Sequence, residues 1–421
     1  MALKDLFADT RPLRTPAFRR LWLANIVTVI GAQLTVVAVP AQIWALTGSS
    51  GMVGLTGLFG LVPLVVFGLW GGALADHVDR RSLLIATTLG LIGTSALFTL
   101  LAVLGNTNVW LLLSVFALQQ ACFALNQPAR QAILPVLLPT DQLPAANALG
   151  MTVMSAGAIA GPLVGGALIP LLGFGWLYGI DTLFLFATLW AVVALPPLPV
   201  AGKPQGSPGL RSVIDGLAYL RLYPILLMSF VVDIIAMVFG MPRALFPQIA
   251  NLDFGGPTGG GLAFALLFAA IPAGAVLGGV FSGWVSRVER TGAAVLACIA
   301  AWGVAIIVFG VAVGFAHVNI PVMLTLGVAA LAAAGAADMA SAAFRQSILL
   351  AAATDAVRGR LQGVFIVVVA GGPRIADVLH GGAAAVAGTA WTTIGGGILV
   401  LVGLAVAMVA VPSFTRYRLN R

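Results

Sequence analysis

Long apolar stretches recur along the whole chain, and each is cut by glycine, proline or a charge cluster. They fall at about 18–46, 51–75, 82–105, 109–137, 143–172 and 174–196, then at 223–250, 260–285, 291–315, 319–350, 360–388 and 390–411. A helix crosses the hydrocarbon core of a bilayer with about 20 apolar residues. Twelve crossings need about 240 such residues, and 60% of the 421 residues are hydrophobic. Only 8% are charged, against about 25% in an ordinary soluble domain. So few charges cannot cover that much apolar side chain in water. A soluble enzyme, a disordered chain and a disulfide scaffold are excluded as first readings. The expected fold is all-α, a polytopic membrane protein of twelve transmembrane helices in two six-helix, pseudo-symmetric bundles.

The division follows from one polar interruption. Residues 1–196 make an N-terminal bundle, 197–222 a cytoplasmic linker and 223–421 a C-terminal bundle. The linker carries Lys203, Pro204, Gly206, Ser207, Pro208, Arg211, Asp215 and Arg221; its first half suits a flexible loop, and 210–222 an amphipathic surface helix. If the N-terminus is cytoplasmic, the inner segments and inner helix ends hold 17 of the 21 basic residues, the outer loops hold none, and the remaining four, Arg130, Arg243, Arg345 and Arg374, lie deeper inside spans. That asymmetry places both termini in the cytoplasm and accounts for the net charge of +8 without nucleic acid. The first 17 residues hold no apolar core, so no cleaved signal peptide is expected. Cys122 and Cys298 sit within apolar runs, as small packing residues rather than a disulfide, metal site or nucleophile.

The halves resemble each other. Arg130-Gln131-Ala132-Ile133-Leu134 recurs as Arg345-Gln346-Ser347-Ile348-Leu349, and Gly71-Gly72 as Gly278-Gly279 at a similar separation. Matches in equivalent spans argue for an internal duplication. Parallel repeats related by an axis along the membrane normal build one class of secondary transporter, with the substrate path between the halves.

Gly72-Ala73-Leu74-Ala75-Asp76-His77-Val78-Asp79-Arg80-Arg81, after the second span, resembles the loop signature of the major facilitator superfamily. Gly72, Leu74, Asp76, Arg80 and Arg81 match; His77 and Asp79 replace the usual arginine and glycine. Gly72 permits close helix approach, and Asp76 can cap a helix or pair with arginine as a two-state latch. A cluster serving only topology is the simpler alternative. In the second half Gly283 stands where Asp76 stands in the first, with Arg287 kept. Span 5 carries Gly157-Ala158-Ile159-Ala160-Gly161-Pro162-Leu163-Val164-Gly165-Gly166, which resembles the antiporter motif of that superfamily. Small residues four apart allow tight packing, and Pro162 kinks the helix, as either a pivot or ordinary packing. Gly372-Pro373 with Gly381-Gly382 is a weaker echo. Residues 126–135, 145–149, 241–247 and 371–377 are similar to the branch of siderophore exporters near a drug:proton antiporter group. The resemblance implies proton-driven export of siderophores or amphipathic drugs.

A charge at the bilayer centre costs at least about 2.5–3.5 kcal/mol, so intramembrane charges need partners or a polar cavity. Asp377 and Arg374 share a face of span 11, next to Gly371, Gly372 and Pro373. A carboxylate paired in one state and desolvated in another would couple protons to alternating access; a permanent structural pair is the alternative. Asp338 and Asp233 are further proton-coupling or cation-binding candidates, or else arginine partners. Asp181 is expected to cap span 6. Arg243 suits an anionic ligand or snorkelling. Arg130 and Arg345 could gate the inner mouth or serve structure. Gln33, Gln120 and Asn126, with Phe123 and Phe239, are candidate substrate contacts, each Phe competing with a packing role. Trp22 and Trp176 suit interface anchors. His380, one turn beyond Asp377, suits a proton relay or plain packing.

No nucleotide-binding loop, metal-ligand spacing or enzyme signature is present, so no cofactor and no catalysis are expected. The expected partners are a small-molecule substrate, protons and the bilayer, with a monomer as the working unit in the cytoplasmic membrane of a bacterium. An importer of the same fold and a non-transporting sensor or scaffold are the alternatives.

Overall fold

The computed structural model describes residues 9–75, 78–196, 220, 223–352 and 355–418, without the side chains of 69, 71–73, 75, 352 and 355–369. Asp76, His77 and the linker that was expected to hold an amphipathic helix (all but Leu220) lie outside the described residues. Among those described, the fold is helical throughout. The elements are α1 (Pro16–Thr47), α2 (Ser50–Ala75), α3 (Arg80–Val103) and α4 (Val109–Leu137). A continuous run Leu143–Val193 follows, broken at Gly173 (φ 78°) into α5 (143–172) and α6 (174–193). Then come α7 (Pro224–Phe239), α8 (Leu262–Val280), α9 (Thr291–Gly314), α10 (Ile320–Ala352), α11 (Asp355–Ala387) and α12 (Thr389–Ala410). Ten helices are long and apolar enough to cross a membrane by length and composition. One of them holds both α5 and α6, and α11 is a further helix of span length.

Local chemistry sets several boundaries. Asp79, standing where the loop signature has glycine, caps α3 by accepting from Ser82 N at 2.8 Å. Asn108 caps α4 by accepting from Trp110 N at 3.0 Å. Gly173 and Gly388 turn the chain between α5 and α6 and between α11 and α12. Their backbones are nearly the same, φ 78°, ψ 169° and φ 77°, ψ 168°. Gly388 follows Gly173 by as many residues as Arg345 follows Arg130, so the repeat extends to backbone conformation.

The seventh span departs from expectation in its regularity. Its extent, Pro224–Asp253, agrees with the expected 223–250, but it is not one regular helix, because α7 ends at Phe239. The chain continues as a 3-10 turn Arg243–Leu245, a short helix Phe246–Gln248 and a π-turn Ile249–Asp253. Gly240 weakens the helix, and Pro242 and Pro247 lack the N–H groups that would continue it.

The chain forms two compact units: Met1–Val39 with Val62–Gly209, and Pro40–Leu61 with Leu210–Arg421. In the first, Leu83, Leu84, Ala129, Ile133, Val192 and Leu195 join α3, α4 and α6, and Phe18, Leu138, Ala146 and Leu149 join α1 to the start of α5. Thr28 Oγ1 meets Thr188 Oγ1 at 2.6 Å. In the second, α9 packs on α10 and α12, and α8 on α10. A Cβ on Gly274 or Gly335 would collide with the carbonyl oxygens of Ala332 and Ile271, so α8 and α10 touch backbone to backbone.

Candidate functional site

Buried charge gathers in the second unit. Asp233 on α7, 2% exposed, pairs with Arg345 of α10. Arg345 also reaches Asp338, two turns earlier on its own helix, at 3.6 Å. Asp338 is the open end of this triad: its side chain is 34% exposed, against 6% for Arg345. One arginine therefore serves two carboxylates of unequal access. A small cavity lined by Ser229, Phe230 and Leu349 adjoins the Arg345 side chain.

A second pair joins the segment beyond α7 to a different helix, α11. Arg243, in the 3-10 turn beyond α7, donates from Nη2 to Asp377 Oδ2 of α11 at 3.0 Å. The break in α7 makes this possible, because the irregular stretch turns the arginine back towards α11. The other carboxylate oxygen, Asp377 Oδ1, is buried with no hydrogen-bond partner among the described residues. Arg374, expected to share a face with Asp377, lies against α2: a Cβ on Gly60 would sit 2.8 Å from its Nη1. A Cβ on Gly57 would collide with the Arg374 carbonyl oxygen, and one on Gly54 would lie 2.5 Å from that of Asp377. Glycines three apart thus let α2 rest on the backbone of α11 where α11 carries its charges.

Beside this pair stands His380, 5% exposed. Its two ring nitrogens lie 2.9 Å from the carbonyl oxygens of Met241 and Phe239.

In the first unit, Gly157, Gly161 and Gly165 of α5 face Val29, Gln33, and Leu34 with Val37 of α1; a Cβ on Gly165 would lie 2.8 Å from Val37 Cγ2. The glycine motif is therefore the α1–α5 seam, with Pro162 buried in it. Gln33 forms part of that seam. Asn126 donates from Nδ2 to Thr87 Oγ1 at 2.8 Å, which ties α4 to α3 and engages its amide within the bundle. Phe123 is exposed, and Gln120 and Phe239 are half-buried. Arg80 donates to the Ala132 carbonyl at 3.1 Å, and Arg81 to that of Val193, the last residue of α6, at 2.7 Å. These two basic residues tie α3 to the carbonyls of α4 and α6, where a cation also complements the α6 dipole. Arg130 is half-buried, and the surroundings of Gly72 lie outside the described residues.

Asp181 corrects an expectation. It lies two turns inside α6 rather than at its start, 2% exposed. It accepts from Thr35 Oγ1 of α1 at 2.7 Å and Ser95 Oγ of α3 at 2.9 Å. The approach needs Gly31, where a Cβ would lie 2.7 Å from Asp181 Oδ1. Sequence spacing pointed to a cap because Gly179 suggested a turn, whereas the helix runs straight through it. His380 stands out in the sequence as a lone histidine in an apolar run, whereas its two carbonyl acceptors do not. The signal was Gly240 and Pro242, which orphan carbonyls inside an apolar run.

The sequence matches the transmembrane secretion effector family over residues 8–419. An enterobactin exporter of Citrobacter koseri is 30% identical over 406 residues, 96% of this chain and 94% of that protein. One from Escherichia coli O1:K1 is 29% identical over 375 residues, 87% of this chain and 85% of that protein. A solved nucleoside transporter superposes with a TM-score of 0.76 at 13% identity, covering 93% of this chain and 99% of that one. A bacterial homologue of the iron transporter ferroportin, in an inward-facing state, gives 0.68 at 13% identity, covering 96% and 99%. At such identities the structural likeness speaks for the fold alone.

Proposed function

Because the chain belongs to the transmembrane secretion effector family of the major facilitator superfamily, we propose that it is a proton-coupled exporter of small amphipathic molecules. It is a multi-pass transporter of the inner membrane and not an enzyme. Siderophores of the enterobactin kind, or amphipathic drugs, are the proposed cargo, moved out by alternating access as protons move in. The expected division at residues 197–222, cytoplasmic termini and a monomeric unit belong to the same proposal.

The observation that carries this reading is the pair of buried acid–base clusters, Arg243–Asp377 and Asp233–Arg345–Asp338. An isolated charge is costly at this depth. A carboxylate that loses its arginine during a conformational change therefore stays in the membrane at least cost by binding a proton. Substrate that competes for Arg243, or a shift of the segment carrying it, would free Asp377 and exchange one cation for another. Asp338, the half-buried member of the triad, is suited to take up a proton when their common arginine turns wholly to Asp233, and Arg374 holds the α11 charges against α2. Gln33, Gln120, Asn126, Phe123, Phe239 and Arg243 are the proposed cargo contacts. Gly72, Asp76, Arg80, Arg81, Gly157, Gly161, Pro162, Gly165, Arg130 and Arg345 are the proposed gating residues.

The test is flux in proteoliposomes loaded with enterobactin or ethidium. An imposed proton gradient should drive efflux, and Asp377→Asn should leave binding but remove the response to the gradient. Gradient-driven efflux unchanged in that variant would take Asp377 out of the mechanism.

A further inference from the structure

The end of α7 poses a hydrogen-bonding problem that one side chain solves. Gly240 N–H still bonds to the Ala236 carbonyl at 2.8 Å, but beyond it the helical ladder stops. Pro242 has no N–H, and Leu245 N–H bonds to the Pro242 carbonyl at 2.9 Å. The carbonyls of Phe239 and Met241 are left pointing at α11. Buried carbonyls require donors, and His380 faces both, Nε2 to Phe239 O and Nδ1 to Met241 O, each at 2.9 Å.

A neutral imidazole carries one N–H and one lone pair; the doubly protonated ring carries two N–H groups. Two acceptors at hydrogen-bond distance on opposite nitrogens suit only the second form, since in the neutral ring one lone pair confronts a carbonyl oxygen. The carbonyl end of α7 also carries partial negative charge that favours a cation. The ring is held in place by α12, where a Cβ on Gly396 would lie 3.0 Å from Nε2.

The charged groups around it are few. Asp377 precedes it by one turn on α11 and is bound to Arg243, two residues beyond Met241. Arg374 lies further back on α11, and Asp233 on α7 is engaged by Arg345. Neither α12 nor the Ser50–Gly60 part of α2 contains a charged residue.

We propose that His380 is a proton-binding site whose doubly protonated ring clamps the broken end of α7. Release of one proton leaves one carbonyl unbonded and loosens the stretch that carries Arg243 to Asp377. The clamp stands on the geometry of α7 and α11; its use in transport rests on the proton-coupled reading above.

The test uses full-length protein in lipid nanodiscs with 15N-labelled histidine, His380 being assigned by the signal lost in His380→Gln. Solid-state NMR should show its ring passing between a form with both nitrogens protonated and a form with one, within about pH 5–8. Backbone hydrogen exchange over residues 240–245 should rise about tenfold at the same transition, the effect of one lost hydrogen bond to a charged donor. A ring that keeps a single proton throughout, or a titrating ring with unchanged exchange, overturns the proposal. A clamp that titrates as described supports it even where no proton moves with cargo, a result that would count against the transport reading alone.

Discussion

Arg243 and Asp377, 134 residues apart in sequence, meet at 3.0 Å because α7 breaks at Gly240. An unbroken helix would carry Arg243 onward along its own axis. The break turns the arginine to α11 and leaves His380 to cap the carbonyls behind it. One irregularity thus ties a charge pair to a titratable ring.

The Asp233–Arg345 pair predicts asymmetric mutational effects. Arg345→Leu strands Asp233, 2% exposed, and should destabilise the protein by roughly 3–5 kcal/mol, the cost of a buried charge without its partner. Asp233→Leu/Arg345→Leu should recover most of that loss while abolishing coupled transport. Unfolding in detergent measures the first effect and flux the second. A double variant as unstable as the single one would contradict the pairing.

Glycine substitutions separate backbone contact from open space. Gly274→Ala drives a methyl into the Ala332 carbonyl and should cost about 1–3 kcal/mol or more, as overpacking does. Gly93→Ala, where a Cβ meets nothing within 4 Å on an exposed face of α3, should be neutral or stabilise by about 0.5–1 kcal/mol. Thermal melts of the two variants decide. Equal effects would deny the close α8–α10 seam.

Gly173→Ala and Gly388→Ala should each lose about 1–3 kcal/mol from the positive-φ, extended-ψ backbone alone, because nothing lies within 4 Å of either added Cβ. The losses should match, since the two turns share their backbone angles. Unequal losses would show that the two turns are not equivalent.

Much of the architecture was legible in sequence, because a membrane demands long apolar runs and admits few exceptions. The long apolar spans follow from that demand. The glycine motif of span 5 was legible as packing, but its partner helix was not, since small residues do not name what they touch. The charged residues were visible as anomalies and their pairings were not. Asp377 finds Arg243 only through a helix break, and Asp181 finds Thr35 and Ser95 only when α1, α3 and α6 are assembled. Long-range polar pairs depend on tertiary placement, which local spacing does not encode.

Near the N-terminus, outside the spans, the Arg11 side chain and backbone N–H both bond to Asp9 and hold its carboxyl below the usual value of 3.8. A depressed carboxyl stabilises above its unfolded pKa and loses that contribution as pH falls through the folded one. Hydrogen exchange over Arg11–Arg14 should therefore quicken as pH drops below about 4, after correction for intrinsic rates. Asp9→Asn should remove the pH dependence. Exchange in Asp9→Asn with the wild-type pH profile would contradict the contact.

The most direct test of proton-coupled export is simultaneous measurement of cargo and protons in one vesicle preparation. With enterobactin inside proteoliposomes and a pH-sensitive dye reporting the lumen, the account predicts acidification of the lumen as enterobactin leaves, in a fixed ratio that Asp377→Asn abolishes. Export that proceeds at the full rate with no change in lumenal pH would contradict it.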